Sequence, residues 1–419
     1  MADVVIVGSG AAGISAARQL AASGISCMIL EARDRIGGRA FTDTTSLPGH
    51  WDQGCQWFHC ADINPLVQEA ETLGWDFERR DRIELSMTFL DGRWQDAEDH
   101  LDYGRQIDAA FDAVYTAGAR GLDVPVSQVL PESGPWRPLV HNIFQLMISA
   151  DPEVTSTLGY ADYVDTATNW IVTGGLGALI GRLAQGLTIR TGVAVRAIDL
   201  QPGGVRVETS QGALDAKAVI VTAPTNVLLS GAIRFPKGAA QPVLDRMQDL
   251  PCGSYEKVAL AFDRLPFDPS DHLFCSIVAR PDALPLGFQI VAGPHPKLIA
   301  HIAGSSARDL ITQGQDAMIG FARDGIHAAF GASACRAITG SAVTGWEQDP
   351  WSRGAYSYAR VGAGTARKAM IAANAGPIRF AGEAFSLAGH STAHGAWQSG
   401  REVAADLANA FAPGGGGLR

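Results

Sequence analysis

Val4-Val5-Ile6-Val7-Gly8-Ser9-Gly10-Ala11-Ala12-Gly13 carries a short apolar strand into a glycine turn and on into an alanine-rich helix, Ile14 to Ala22. Each glycine has its own steric task. Gly8 permits the tight turn, Gly10 lets the backbone approach a pyrophosphate, and Gly13 lets helix and strand pack closely, so that the diphosphate rests on the helix N-terminus beside Ala12. A second apolar strand, Ser26-Cys27-Met28-Ile29-Leu30, leads to Glu31, whose carboxylate can accept hydrogen bonds from a ribose. The spacing reads as a dinucleotide grip, although the glycines alone do not separate one dinucleotide from another.

The residues that follow narrow it. Glu31-Ala32-Arg33-Asp34-Arg35-Ile36-Gly37-Gly38-Arg39 adds a second glycine pair flanked by arginines, the chemistry needed to cover the far side of a long dinucleotide. A surface turn with solvated arginines is the bland alternative. Taken together the two stretches resemble the two-part FAD signature of the flavin amine oxidase superfamily, and the resemblance assigns FAD contacts to Gly8, Gly10, Ala12, Gly13, Glu31, Ala32, Arg33, Gly38 and Arg39. It implies a two-domain α/β fold: a Rossmann-like FAD domain with a mostly parallel sheet, and a substrate domain of mixed sheet plus helices.

Further blocks carry the resemblance through most of the chain. Asp52-Gln53-Gly54-Cys55-Gln56-Trp57 is similar to the family's segment running past the flavin, Val195 lies where its strand touches the adenine, and Thr222-Ala223-Pro224 resembles its small-residue-proline step. Phe380-Ala381-Gly382-Glu383 resembles its FAGE element, placing Gly382 and Glu383 near the ribityl and diphosphate. Thr392-Ala393-His394-Gly395-Ala396 resembles its turn onto the helix under the pyrimidine end, where a helix N-terminus stabilises negative charge on the flavin.

Two residues are expected to act on the amine. Gly253-Ser254-Tyr255-Glu256-Lys257-Val258-Ala259 resembles the family strand whose lysine points inward and reaches the flavin N5 region through a water; a desolvated lysine is readily tuned. Trp346 and Arg353-Gly354-Ala355-Tyr356 resemble the stretch that lines the flavin and supplies one wall of an aromatic amine cage, with Tyr356 presenting its ring to the amine. Two departures from monoamine oxidases stand out. Ala355 occupies the place of their flavin-linking cysteine, so the FAD is expected to be noncovalent, and Thr392 occupies the place of their second cage tyrosine. Trp57 and His59 are further candidates for the substrate side. His390 and His394 are spaced i, i+4, but nothing else in that stretch resembles a metal motif, and no metal is expected.

Composition bounds the rest. The chain has 419 residues, 47% of them hydrophobic and 18% charged, with a formal net charge of −10. That length favours two cores, and the acidic balance without a basic block argues against a nucleic-acid partner. Six cysteines without CxxC spacing suggest neither a zinc site nor a disulfide framework, and a reducing cytoplasm is the expected location. No stretch approaches the ~18 apolar residues of a membrane span, and Pro413 to Arg419 reads as a disordered tail. The texture divides the chain into FAD-domain segments 1–75, 171–228 and 341–419, alternating with substrate-domain segments 76–170 and 229–340.

The resemblance implies oxidation of a small-molecule amine: hydride passes from the carbon alpha to a neutral amine onto flavin N5, giving an imine, and dioxygen reoxidises the flavin to yield hydrogen peroxide. A flavin-dependent desaturase acting on a C–C bond and a non-catalytic flavin-binding sensor are the alternative readings. An NAD-dependent dehydrogenase is disfavoured because no second dinucleotide grip is evident.

Overall fold

A computed structural model describes residues 2–80, 86–269, 272–280 and 283–412. The expected disordered tail lies outside them. Four-residue apolar runs, Val4–Val7 and Ala218–Val221, are buried along their whole length, as strands covered on both faces must be. They sit at the centre of a five-stranded sheet ordered Ile378–Phe380, Ala218–Val221, Val4–Val7, Cys27–Leu30, Ile189–Arg190, and every pairing in it is parallel. Helices Ala11–Ala22 and Ala393–Phe411 cover one face, sharing a core that includes Ile6, Ala16, Leu20, Ala404 and Leu407.

An antiparallel three-stranded sheet, Val195–Gln201, Gly204–Thr209 and Gly212–Ala216, packs over the other face. Its first strand runs on to Gln201, past the point where the apolar alternation fades at Asp199, because the antiparallel ladder with Gly204–Thr209 continues.

A seven-stranded mixed sheet runs in the order Ile338–Val343, Tyr255–Phe262, Lys297–Ala303, Leu286–Val291, Phe274–Ile277, Ser86–Leu90, Arg93–Trp94. The hairpin of residues 86–94 joins it through a parallel pairing with Phe274–Ile277, a contact between distant segments that no local pattern announces. Helix Gln315–Arg336 lays Met318, Ala322 and Ile326 on this sheet. Helices Ala97–Ala119 and Arg137–Ile148 form a separate apolar cluster around Val114, Phe144 and Tyr160. Among the described residues, no helix is long and apolar enough to cross a membrane.

Candidate active site

The glycine turn has the shape its spacing demands. Gly8 has φ +102°, and a Cβ on Gly13 would lie 2.0 Å from the Gly8 carbonyl oxygen. Gly10 occupies the N-cap of helix Ala11–Ala22 and no side chain caps that end, so the first-turn N–H groups, including those of Ala12 and Gly13, stand ready for an anion. Glu31 is 4% exposed and follows the second strand. Its carboxylate accepts the Ser9 N–H and hydroxyl, both at 2.8 Å, and the Arg33 N–H at 2.9 Å. It fastens the turn to the second strand. Val195 is buried in the core shared with Val5, Val7 and Leu30.

The arginine stretch folds back over the turn. Gly37 donates to the Ser9 carbonyl at 2.9 Å, and Ala32 joins Glu31 to the arginines. Arg33 pairs with Asp349 at 2.9 Å and donates to the Ser352 hydroxyl at 2.7 Å, while Arg35 lies 3.9 Å above the Phe41 ring. Arg39 donates to the Ala355 carbonyl and lies 3.2 Å from Glu383. Glu383 also accepts from the Ser357 N–H and hydroxyl and the Ser391 N–H. Gly382 precedes it with φ +144°. Segments near 39, 355, 383 and 391 thus converge on one carboxylate.

Lys257 is buried on strand Tyr255–Phe262. Its Nζ donates to the Asp52 carbonyl at 2.9 Å, the Gly54 carbonyl at 2.7 Å and the Gln56 Oε1 at 2.6 Å. Burial lowers its pKa to about 8, against the opposing pull of Asp52 and Cys55. The same segment abuts the arginine stretch: a Cβ on Gly54 would sit 1.6 Å from the Arg39 carbonyl oxygen. The Asp52 carboxylate accepts from Leu176 N–H at 2.9 Å and Gly177 N–H at 3.2 Å, anchoring the segment at the N-terminus of helix Leu176–Leu183. Trp346 closes one side, its indole N–H on the Gln53 carbonyl at 3.0 Å.

Tyr356 is half-buried; its hydroxyl donates to the Leu146 carbonyl, and its ring lies 5.8 Å from that of Tyr255. Tyr255 in turn hydrogen-bonds His301 Nδ1 at 2.7 Å. Trp57 stacks on Phe274 at 5.4 Å, and His59 Nδ1 meets the Asn169 Oδ1 at 2.7 Å. Thr392 is the N-cap of the C-terminal helix: its hydroxyl donates to the Gly389 carbonyl at 2.6 Å and accepts from the Gly395 N–H at 3.0 Å. Ala393 begins that helix. His390 precedes it, so the two histidines do not share a helical face. Among the described residues no group of three or more His, Cys, Asp or Glu could hold a metal ion.

The residues fit a dinucleotide. The Gly8 to Gly13 turn packs so closely that a Cβ at Gly13 would meet the Gly8 carbonyl, its helix end carries no side-chain cap, and Glu31 is fastened to the turn through Ser9. Sequence reasoning passed over Ser9, Gln56, Ser357, Ser391 and Arg367. Gln56 stood in plain view beside Trp57; its role needs the partner at 257, which only the fold brings near.

Comparison with known proteins agrees with this arrangement. The flavin containing amine oxidoreductase family matches residues 11–114 and 127–408. This chain belongs to that family of flavin-containing amine oxidoreductases. Polyamine oxidase 2 of Arabidopsis thaliana is 28% identical, the match covering 96% of this chain and 87% of that protein. Human lysine-specific histone demethylase 2 is also 28% identical, over 97% of this chain but 53% of its own length, so the chain spans about half of that relative. Among solved structures, cyclohexylamine oxidase from Brevibacterium oxydans IH-35A superposes with a TM-score of 0.83 at 22% identity, over 97% of this chain and 98% of the other. A putrescine oxidase bound to putrescine gives 0.79 at 23% identity over the same shares. At these identities the structures establish the fold, which is that of the flavin amine oxidases.

Proposed function

We propose that this chain is an amine oxidase with noncovalent FAD, removing hydride from the carbon alpha to a neutral amine to give an imine, with dioxygen as terminal acceptor and hydrogen peroxide as product. The observation that carries the reading is Lys257, a buried cation held by the Asp52 to Gln56 segment, which itself lies against the Arg39 backbone. One element thereby ties the dinucleotide grip to a tuned ammonium.

FAD, when bound, supplies the two-electron acceptor. The Gly8 to Gly13 turn and its helix end take the diphosphate, Glu31 the ribose, and Arg33, Gly38, Arg39, Gly382 and Glu383 the far side, with Val195, Trp346 and Ala393 lining the cofactor. Ala355 offers no thiol for a covalent link. Lys257 holds a positive charge where oxygen chemistry requires it, its three N–H groups spent on the Asp52 and Gly54 carbonyls and on Gln56. Tyr356 presents an aromatic face to the amine, and Trp57, His59 and Thr392 border the substrate side. The division into cofactor segments 1–75, 171–228 and 341–419 and substrate segments 76–170 and 229–340 is supported by membership of the parallel and mixed sheets, apart from strand Ile338–Val343 of the mixed sheet, which crosses the boundary at 340.

The amines named in the relatives' own activities, a polyamine, cyclohexylamine and putrescine, make a small amine the substrate class to test first. The test is the visible flavin spectrum of the purified protein during anaerobic mixing with primary, secondary and polyamine substrates and amino acids. Bleaching by one group supports amine oxidation and names the class. A normal flavin band that none of them bleaches overturns it in favour of the desaturase or sensor readings.

A further inference from the structure

Arg367, on helix Ala366–Ala372, is the largest of the fully buried side chains, at 2% exposure. An aliphatic residue would fill the volume without desolvating a charge, so a buried guanidinium needs a reason. One terminal nitrogen, Nη1, donates to the Ser357 hydroxyl at 3.0 Å and the Ala384 carbonyl at 2.7 Å. Nε and Nη2 have no hydrogen-bond partner among the described residues.

Ser357 passes the interaction on. Its hydroxyl donates to Glu383 Oε2 at 2.7 Å and its N–H to Oε1 at 3.1 Å. Ser391 adds its N–H to Oε2 at 3.0 Å and its hydroxyl to the Ser357 carbonyl at 2.8 Å. The direct cation on Glu383 is Arg39, at 3.2 Å. On the other flank of Arg367 stands Asp162, whose charge acts on it and whose Oδ1 lies 2.8 Å from Lys368 Nζ. Charges therefore alternate along Arg39, Glu383, the buried Arg367, Asp162 and the exposed Lys368. Burial lowers the Arg367 pKa to about 10, with Glu383 and Asp162 pulling the other way, and it stays cationic at neutral pH.

Arg39 belongs to the arginine stretch that covers the dinucleotide. A turn of Arg39 toward an anionic diphosphate would leave Glu383, 5% exposed, without its direct partner and in need of a second counter-charge. We propose that Arg367 is that counter-charge: a positioning residue that acts through Ser357 to hold Glu383 and the Ala355 to Ser357 peptide, releasing Arg39 for the cofactor. Tyr356 lies inside the peptide so held, which ties the amine wall to the same network. The assignment rests on the FAD reading above.

The test is titration of apoprotein with FAD, followed by flavin fluorescence, for the wild-type chain, R367M, R367K and S357A, with kcat and KM for the amine that bleaches the wild type. R367M is expected to weaken FAD binding by about tenfold or more and to lower kcat more than it raises KM. R367K, which keeps the charge, recovers most of both. S357A leaves the guanidinium in place and removes only the bridge; it is expected to weaken FAD binding by about threefold, and it decides the matter with R367K if R367M does not fold. Variants that bind FAD as the wild type does, with only the unfolding temperature lowered, overturn the assignment while leaving the FAD reading intact. A wild-type chain that takes up no FAD overturns both.

Discussion

Lys257 and Gln56, separated by 201 positions, meet at 2.6 Å between Nζ and Oε1. With the Asp52 and Gly54 carbonyls, Gln56 gives the ammonium a full set of acceptors, so the cation is fixed in place before any ligand arrives. Such preorganisation matters most where negative charge develops, as it does when dioxygen is reduced. Lys257→Met is expected to leave anaerobic bleaching by the amine within about threefold and to slow the oxygen step by about a hundredfold. Stopped-flow mixing of the bleached enzyme with oxygen reads this directly; an unchanged oxygen rate removes Lys257 from the reaction.

The same residue makes a pH prediction whose sign is fixed by its burial. Its pKa falls from 10.5 to about 8 on folding, so between those values the unfolded chain binds the proton that the folded chain has released. Stability from this group therefore rises with pH across that window and is flat below it. Wild type minus Lys257→Met, compared by chemical denaturation from pH 7 to about 10, is expected to show that rise. A flat difference means that Lys257 keeps its ordinary pKa.

Gly13 tests the cradle without touching a charged group. A methyl there meets the Gly8 carbonyl oxygen at 2.0 Å, and backbone on both sides leaves little room to yield. Gly13→Ala is expected to cost about 1–3 kcal/mol of stability and to lose most FAD retention on gel filtration. Gly104→Ala, in helix Ala97–Ala119 where a Cβ meets nothing within 4 Å, is the control for a helical glycine outside the cradle.

Much of this was legible in the chain. The parallel core announces itself because strands buried on both faces are apolar throughout, as at Val4–Val7 and Ala218–Val221, and the glycine turn because only glycine satisfies its contacts. The Ser86–Leu90 strand did not, since its pairing with Phe274–Ile277 is made by a distant partner. Arg367 was also silent: beside Lys368, in a short helix, it reads as a solvated surface pair, and only the fold reveals that one arginine faces inward. Thr392 was readable as a departure from a family pattern but not as what it is locally, a helix cap, because the partners at Gly389 and Gly395 become meaningful only once the helix start is known.

That residue separates two roles by substitution. As a cap, Thr392 needs its hydroxyl, and replacing such a cap costs about 1 kcal/mol; as a wall of the amine site, it needs its methyl and its shape. Thr392→Ser keeps the cap and removes the methyl, whereas Thr392→Val keeps the shape and removes the hydroxyl. We expect Thr392→Val to lower stability by about 1 kcal/mol with KM for the amine little changed, and Thr392→Ser to match the wild type in stability. Thermal unfolding and steady-state kinetics on the two variants read both quantities. A KM that moves with the serine variant while stability holds assigns Thr392 to the amine; a stability loss confined to the valine variant assigns it to the helix whose first N–H groups it organises.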